Sequence, residues 1–171
     1  SKLEIKLMRK AAKISSKAHE RAMQSCKPGM YEYQIEAELM HEFIRNGARA
    51  SAYPSIVGSG ANSCILHYTE NQDEINDGDL LLIDAGAEYQ GYASDVTRTF
   101  PASGRFSKAQ RQAYDLVLAA QLAAIEEVKP GNHWNDPHDA AVKVLTEGMV
   151  ALGILKGDPK KLIKDKGYIK Y

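Results

Sequence analysis

Cysteine is nearly missing from this sequence, with only Cys26 and Cys64 in 171 residues. Two thiols make no disulfide framework, which excludes a small cross-linked secreted scaffold and leads us to expect reduced thiols in a cytoplasmic protein. Charge of one sign is also missing. Lys plus Arg and Asp plus Glu each number 22, so the formal net charge is zero. No basic excess advertises nucleic acid or an acidic membrane surface as a partner. No apolar run approaches the roughly 18 residues of a membrane span, and Ser1 to Lys10 is charged and amphipathic rather than a secretory leader. Glycine-rich phosphate loops are lacking as well. Gly58-Ser59-Gly60 has neither the third glycine of a dinucleotide fingerprint nor the lysine of a phosphate loop. No Gly-x-Ser-x-Gly elbow or Cys-x-x-Cys pair occurs. What is present is ordinary: 44% hydrophobic and 26% charged residues in 18.8 kDa. That is enough chain to bury roughly 70% of its unfolded surface in one domain.

Hydrophobic periodicity changes twice along the chain. Leu7, Ala11, Ile14, Ala18 and Ala22 recur at helical steps up to about residue 25, where Lys27-Pro28-Gly29 interrupts them. Tyr31, Ile35, Leu39 and Phe43 form a second helical stripe, stopped by Asn46-Gly47. From about 52 to 101 short strands are expected: Ser55 to Val57, Cys64 to Tyr68, Leu80 to Ala87 and Tyr92 to Phe100, the last two joined near Gly91. Helices then return. Ser107 with Gln110 fits a capping box opening a helix to about Val128. Asp136-Pro137 opens another, with Ala141, Leu145, Met149 and Leu152 as its buried face, and Asp158-Pro159 a short last one. Two helices, a mainly antiparallel sheet and two or three further helices make an α+β fold. There is no repeat, linker or low-complexity run, so residues 1–171 are expected to be one domain with no separate second domain.

Chemistry points to the hairpin. The run Leu80 to Ile83 does not alternate, so this strand is expected to be covered on both faces. It ends in Asp84, a poor strand former whose carboxylate needs compensation if buried. Asp95 lies in the next strand. If the loop centres between Tyr89 and Gln90, residues 84 and 95 oppose each other. If Gln90-Gly91 is a two-residue turn, residue 84 opposes 97, 95 opposes 86, and the two aspartates are diagonal neighbours on one face. Either register brings their β-carbons within about 5 to 8 Å. Two carboxylates so placed suit a divalent cation. The competing readings are a structural salt bridge to Arg98 and solvated hairpin charges. His67, in a strand-like segment, is either a satisfied core residue or a working one. His19 and His41 are expected on solvated helix faces, and Tyr53-Pro54 as a strand entry.

Two stretches carry a family resemblance. Ile56-Val-Gly-Ser-Gly-Ala-Asn-Ser-Cys-Ile-Leu-His-Tyr-Thr-Glu-Asn71 is similar to the substrate-side segment of the Xaa-Pro aminopeptidases. Asp77-Gly-Asp-Leu-Leu-Leu-Ile-Asp-Ala-Gly-Ala-Glu-Tyr-Gln-Gly-Tyr-Ala-Ser-Asp-Val-Thr-Arg-Thr-Phe-Pro101 resembles the same family's metal hairpin. The resemblance continues to Leu155. Methionine aminopeptidase, prolidase and creatinase share the fold, but the context of residues 65–71 favours the Xaa-Pro aminopeptidases. It implies a pita-bread metallopeptidase that uses two divalent metal ions, manganese in the complete enzyme. Its substrates are peptides with proline in second position, from which it releases the N-terminal residue. Position by position it implies Asp84 on one metal, Asp95 bridging both, and His67 lining the substrate pocket, where it hydrogen-bonds substrate or a developing oxyanion.

The family also needs a histidine from a His-x-x-Gly-His type segment and two later glutamates. Those motifs are absent, and Glu126, Glu127 and Glu147 sit on helical segments that do not match them. The expectation is therefore the N-terminal half of a pita-bread catalytic domain, inactive alone, with weak or no metal binding. Its exposed half-domain faces are expected to promote homo-oligomers or other association. The alternative is a non-catalytic binding module of the same fold.

Overall fold

A computed structural model describes residues 1–170. Ser1 caps the first helix, α1 (Lys2–Ser25), accepting from the Glu4 amide in a capping box. Ala11, Ile14, Ala18 and Ala22 are fully or almost fully buried on its inner face, as their spacing predicts. His19 departs from expectation: it is 3% exposed, and its Nδ1 donates to the Ser15 carbonyl one turn back at 2.9 Å. It belongs to the same stripe as Ser15 and Ala22, three or four residues apart, which a solvated-face reading overlooks. The second helix, α2 (Glu32–Arg45), packs Ile35, Leu39 and Phe43 into the core against α1.

Six short strands follow: β1 (Ala50–Ser51), β2 (Ile56–Ser59), β3 (Leu80–Asp84), β4 (Ala87–Tyr89), β5 (Tyr92–Ala93) and β6 (Thr97–Pro101). They form two antiparallel three-stranded sheets, ordered β1-β4-β5 and β2-β3-β6. The strand expected at Cys64 to Tyr68 is absent. A 3₁₀ turn (Gly60–Cys64) runs there into a bend, and His67 adopts a left-handed backbone with φ of 55°. The apolar pair Ile65-Leu66 suggests a strand, yet Leu66 is 92% exposed. Nor is β3 covered equally on both faces. Leu81 and Ile83 are fully buried, whereas Leu80, Leu82 and Asp84 are half-buried. That open face is what lets a carboxylate stand at the strand's end.

The two units of the chain are residues 1–106, which hold both sheets, and residues 107–171. The second unit contains α3 (Lys108–Glu126), α4 (Asp136–Ala151) and α5 (Pro159–Lys164). The Ser107–Gln110 capping box and the Asp158 cap form as the sequence suggests. The buried residues of α4 are Val142 and Thr146; Ala141, Leu145 and Met149 are half-buried and Leu152 is exposed. Gly148 lies on the Ala141 and Leu145 side of the helix, and a β-carbon there would be 2.1 Å from Leu116 Cδ1 of α3. The two helices approach closely there, and on the other side of α4 Thr146 satisfies its hydroxyl on the Val142 carbonyl at 2.7 Å.

Candidate active site

The hairpin register settles the two alternatives read from the sequence. Asp84 pairs with Thr97 and Tyr89 with Tyr92, leaving Gln90-Gly91 as a two-residue turn. Both turn residues have positive φ, 52° and 84°, the requirement of a type I′ turn. The same register continues through the gap between strands. Ser94 N donates to Ala87 O at 3.0 Å and Ala85 N to Val96 O at 3.1 Å, which places Gly86 opposite Asp95. Asp84 and Asp95 are thus diagonal neighbours on one face.

Tyr53 joins them. Its hydroxyl lies 2.6 Å from Asp84 Oδ1 and 3.0 Å from Asp95 Oδ1, one proton facing two carboxylates. Burial first, and then hydrogen bonding to both aspartates, pushes the phenol far above its ordinary value, so Tyr53 stays a donor. In the sequence Tyr53-Pro54 reads only as a strand entry. Local pattern gives no other signal, because the contacts span 31 and 42 residues. Arg98 does not join the aspartates: its guanidinium donates to the Thr97 carbonyl at 2.8 Å, and among the described residues no ion pair links it to Asp84 or Asp95.

Tyr53, Pro54, Ile56, His67, Thr69, Asp84 and Asp95 line one cavity of about 510 Å³. The structure therefore brings all three sequence-selected residues to the same place. Among the described residues no group of three or more His, Cys, Asp or Glu side chains converges on a metal-sized site. The chemistry of the pair nonetheless suits a divalent cation. The two carboxylates lie close enough to share one donor, the Tyr53 hydroxyl, and both are hard oxygen donors.

Removing the shared hydroxyl tests the pairing. Tyr53→Phe should cost about 1 kcal/mol of stability in the presence of chelator, because two carboxylates lose their common donor while partial exposure returns them to water. Urea denaturation of both chains measures this. An unchanged midpoint would mean that Tyr53 does not hold the pair.

The chain belongs to metallopeptidase family M24, whose model matches residues 6–168. Its relatives narrow the class. The chain is 51% identical over 165 residues to Xaa-Pro aminopeptidase of Escherichia coli and 52% identical to that of Haemophilus influenzae, covering 96% of this chain in each case. It spans only 37% and 38% of the length of those two relatives. The structure superposes on Pseudomonas aeruginosa aminopeptidase PepP with a TM-score of 0.97 at 55% identity. Against a zinc-substituted E. coli aminopeptidase P in complex with product the TM-score is 0.96 at 51% identity. Each match covers 98% of this chain and 38% of the other.

Proposed function

We propose that this chain is the part of an Xaa-Pro aminopeptidase that supplies two of its metal ligands and one wall of its substrate pocket. The observation that carries the reading is the convergence of Asp84 and Asp95 on Tyr53 in a cavity shared with His67. Identity of about half to named Xaa-Pro aminopeptidases supports the substrate class, peptides with proline in second position. In this reading Asp84 holds one divalent ion and Asp95 bridges two, manganese being the expected metal. When bound, such ions supply Lewis-acid polarisation of a peptide carbonyl and acidification of a water. The remaining work belongs to the chain's own groups. Tyr53, kept protonated, orients both carboxylates. His67, exposed on its bend, presents an imidazole to hydrogen-bond substrate, and the apolar wall of Pro54 and Ile56 shields one side of the cavity.

The test compares this chain with a polypeptide of the relatives' full length. The longer protein should release the N-terminal residue of an Xaa-Pro peptide with added Mn²⁺ and lose that activity with chelator. The 171-residue chain should show neither activity nor submicromolar metal affinity, since two carboxylates do not fix a dinuclear site. Robust turnover by the short chain would overturn the assignment of only two ligands to it.

Free Cys26 and Cys64 favour a reducing, cytoplasmic setting. Among the described residues no helix is long and apolar enough to cross a membrane. Self-association is expected from α3, where Val117, Leu122 and Ile125 are each more than half exposed. Sedimentation velocity should show a mass above the monomer that rises with concentration. A clean monomer at high concentration would exclude this surface as sticky.

A further inference from the structure

Glu32 is the first residue of α2, fully buried, and no cation faces it among the described ion pairs. Its compensation comes from five neutral donor groups. Oε1 accepts from Ser59 N at 2.7 Å, Ser59 Oγ at 2.8 Å and Asn62 Nδ2 at 3.2 Å. Oε2 accepts from Tyr68 Oη at 2.7 Å and Asp73 N at 3.1 Å. The positive end of the α2 dipole adds to these. All the donors belong to one segment, residues 59–73, which is the segment that carries His67 and Thr69 into the cavity. One turn along α2, Glu36 accepts from Asn71 Nδ2 at 3.0 Å, and Asn71 in turn accepts from Val57 N at 2.9 Å.

The segment needs such a clamp. His67 and Asn71 both adopt left-handed backbones, with φ of 55° and 49°, a conformation uncommon outside glycine even for Asn and His, which enter it more readily than most residues. Ile65, Leu66 and His67 are exposed, so burial does not hold the bend. Tyr68 is the first buried residue after His67, and its hydroxyl ends on Glu32. We propose that Glu32 is a positioning residue for His67, its carboxylate tying both ends and the middle of the 59–73 segment to the start of α2. The proposal rests on the reading of His67 as a pocket residue, but its test needs neither metal nor substrate.

The two oxygens of Glu32 each accept one backbone N–H, Ser59 on Oε1 and Asp73 on Oε2. A glutamine amide has one acceptor oxygen, so neither orientation of Glu32→Gln serves both. Amide exchange measured by NMR on the full chain, in chelator at neutral pH, reads the consequence. In Glu32→Gln the amides of residues 59–73 should exchange roughly ten- to a hundredfold faster, while Leu81 and Ile83 stay within about threefold of wild type. The Cα and Cβ shifts of His67, which report its left-handed backbone, should move toward coil values. Tyr68→Phe removes one donor and keeps the carboxylate, and should give the same pattern in weaker form if Glu32→Gln does not fold. Uniform acceleration that includes Leu81 and Ile83, or unmoved His67 shifts in a folded variant, would overturn the proposal. A full-length protein lacking peptidase activity would instead count against the functional reading and leave this result unaffected.

Discussion

Gly86→Ala should cost the hairpin about 3 kcal/mol or more and lower the melting temperature by at least about 12 °C, at about 4 to 8 °C per kcal/mol for a unit of this size. A β-carbon on Gly86 would lie 1.7 Å from the Ser94 carbonyl oxygen and 2.6 Å from its carbon. Those atoms are backbone, so no rotamer change relieves the clash. The strands would have to separate by more than an ångström where Ser94 N, Ser94 Oγ and Ser15 Oγ bond Ala87. Gly148→Ala is the internal control. Its clash, at 2.1 Å, is with the end of a leucine side chain that can turn away, so its cost should be smaller. Thermal melts followed by circular dichroism rank the two. A fall of less than about 3 °C for Gly86→Ala would mean that the close approach of the strands is not needed.

The second large effect divides by context. In a protein of the relatives' full length, Asp84→Asn should lower Xaa-Pro peptidase activity by a hundredfold or more, since loss of a ligand exceeds the 10- to 100-fold typical of its outer-shell partners. In this chain, with chelator, the same change should leave stability within about 1 kcal/mol of wild type or raise it slightly. The amide oxygen still accepts from Tyr53, and one of two like charges disappears. A structural capping role for Asp84 predicts the reverse, a clear fall in melting temperature. Kinetics on the long protein and melts on the short one therefore separate a ligand from a cap.

Acid should act on the other carboxylate centre. Burial of Glu32 raises its pKa, but hydrogen bonds from Tyr68, Ser59 and Asn62 outweigh this and hold it below the ordinary 4.5. Tyr68 moves in the opposite direction: its burial, with the bond to Glu32, pushes its phenol up to about 12. A depressed carboxylate supplies stability that is complete above its unfolded-state value and lost as pH falls through the folded one. The melting temperature should hold from pH 7 to about pH 5 and then decline below 4.5. The decline should be shallower in Glu32→Gln. Parallel curves would show that Glu32 contributes no proton linkage.

Helices and hairpin were legible from the sequence because their signals are local. The capping pair Ser107–Gln110, the breaker Lys27-Pro28-Gly29 and the spacing of Ile35, Leu39 and Phe43 each act within a few residues. The choice of register was not legible, since loop centring between Tyr89 and Gln90 and a two-residue turn at Gln90-Gly91 both fit the pattern. At His67 apolar Ile65 and Leu66 imitate a strand, while the force that shapes the bend comes from Glu32, 27 to 41 positions from its backbone donors in sequence. Tyr53 gives no local signal for the same reason. A phenol that bridges two carboxylates is visible only once the hairpin is closed and Asp84 and Asp95 share a face.

The turn at Gln90-Gly91 makes the spacing of the two aspartates a matter of counting. Successive residues of a strand face opposite ways, so a one-residue slip in the pairing of Tyr89 with Tyr92 would turn Asp95 to the far face of the hairpin. Amino-acid replacements that keep a left-handed turn leave the pair intact; a single-codon deletion leaves one residue to close the hairpin and forces such a slip. The hairpin tip, exposed and outside the cavity lining, should therefore accept new residue types, or an added one, in evolution or in the laboratory, while shortening it is not tolerated.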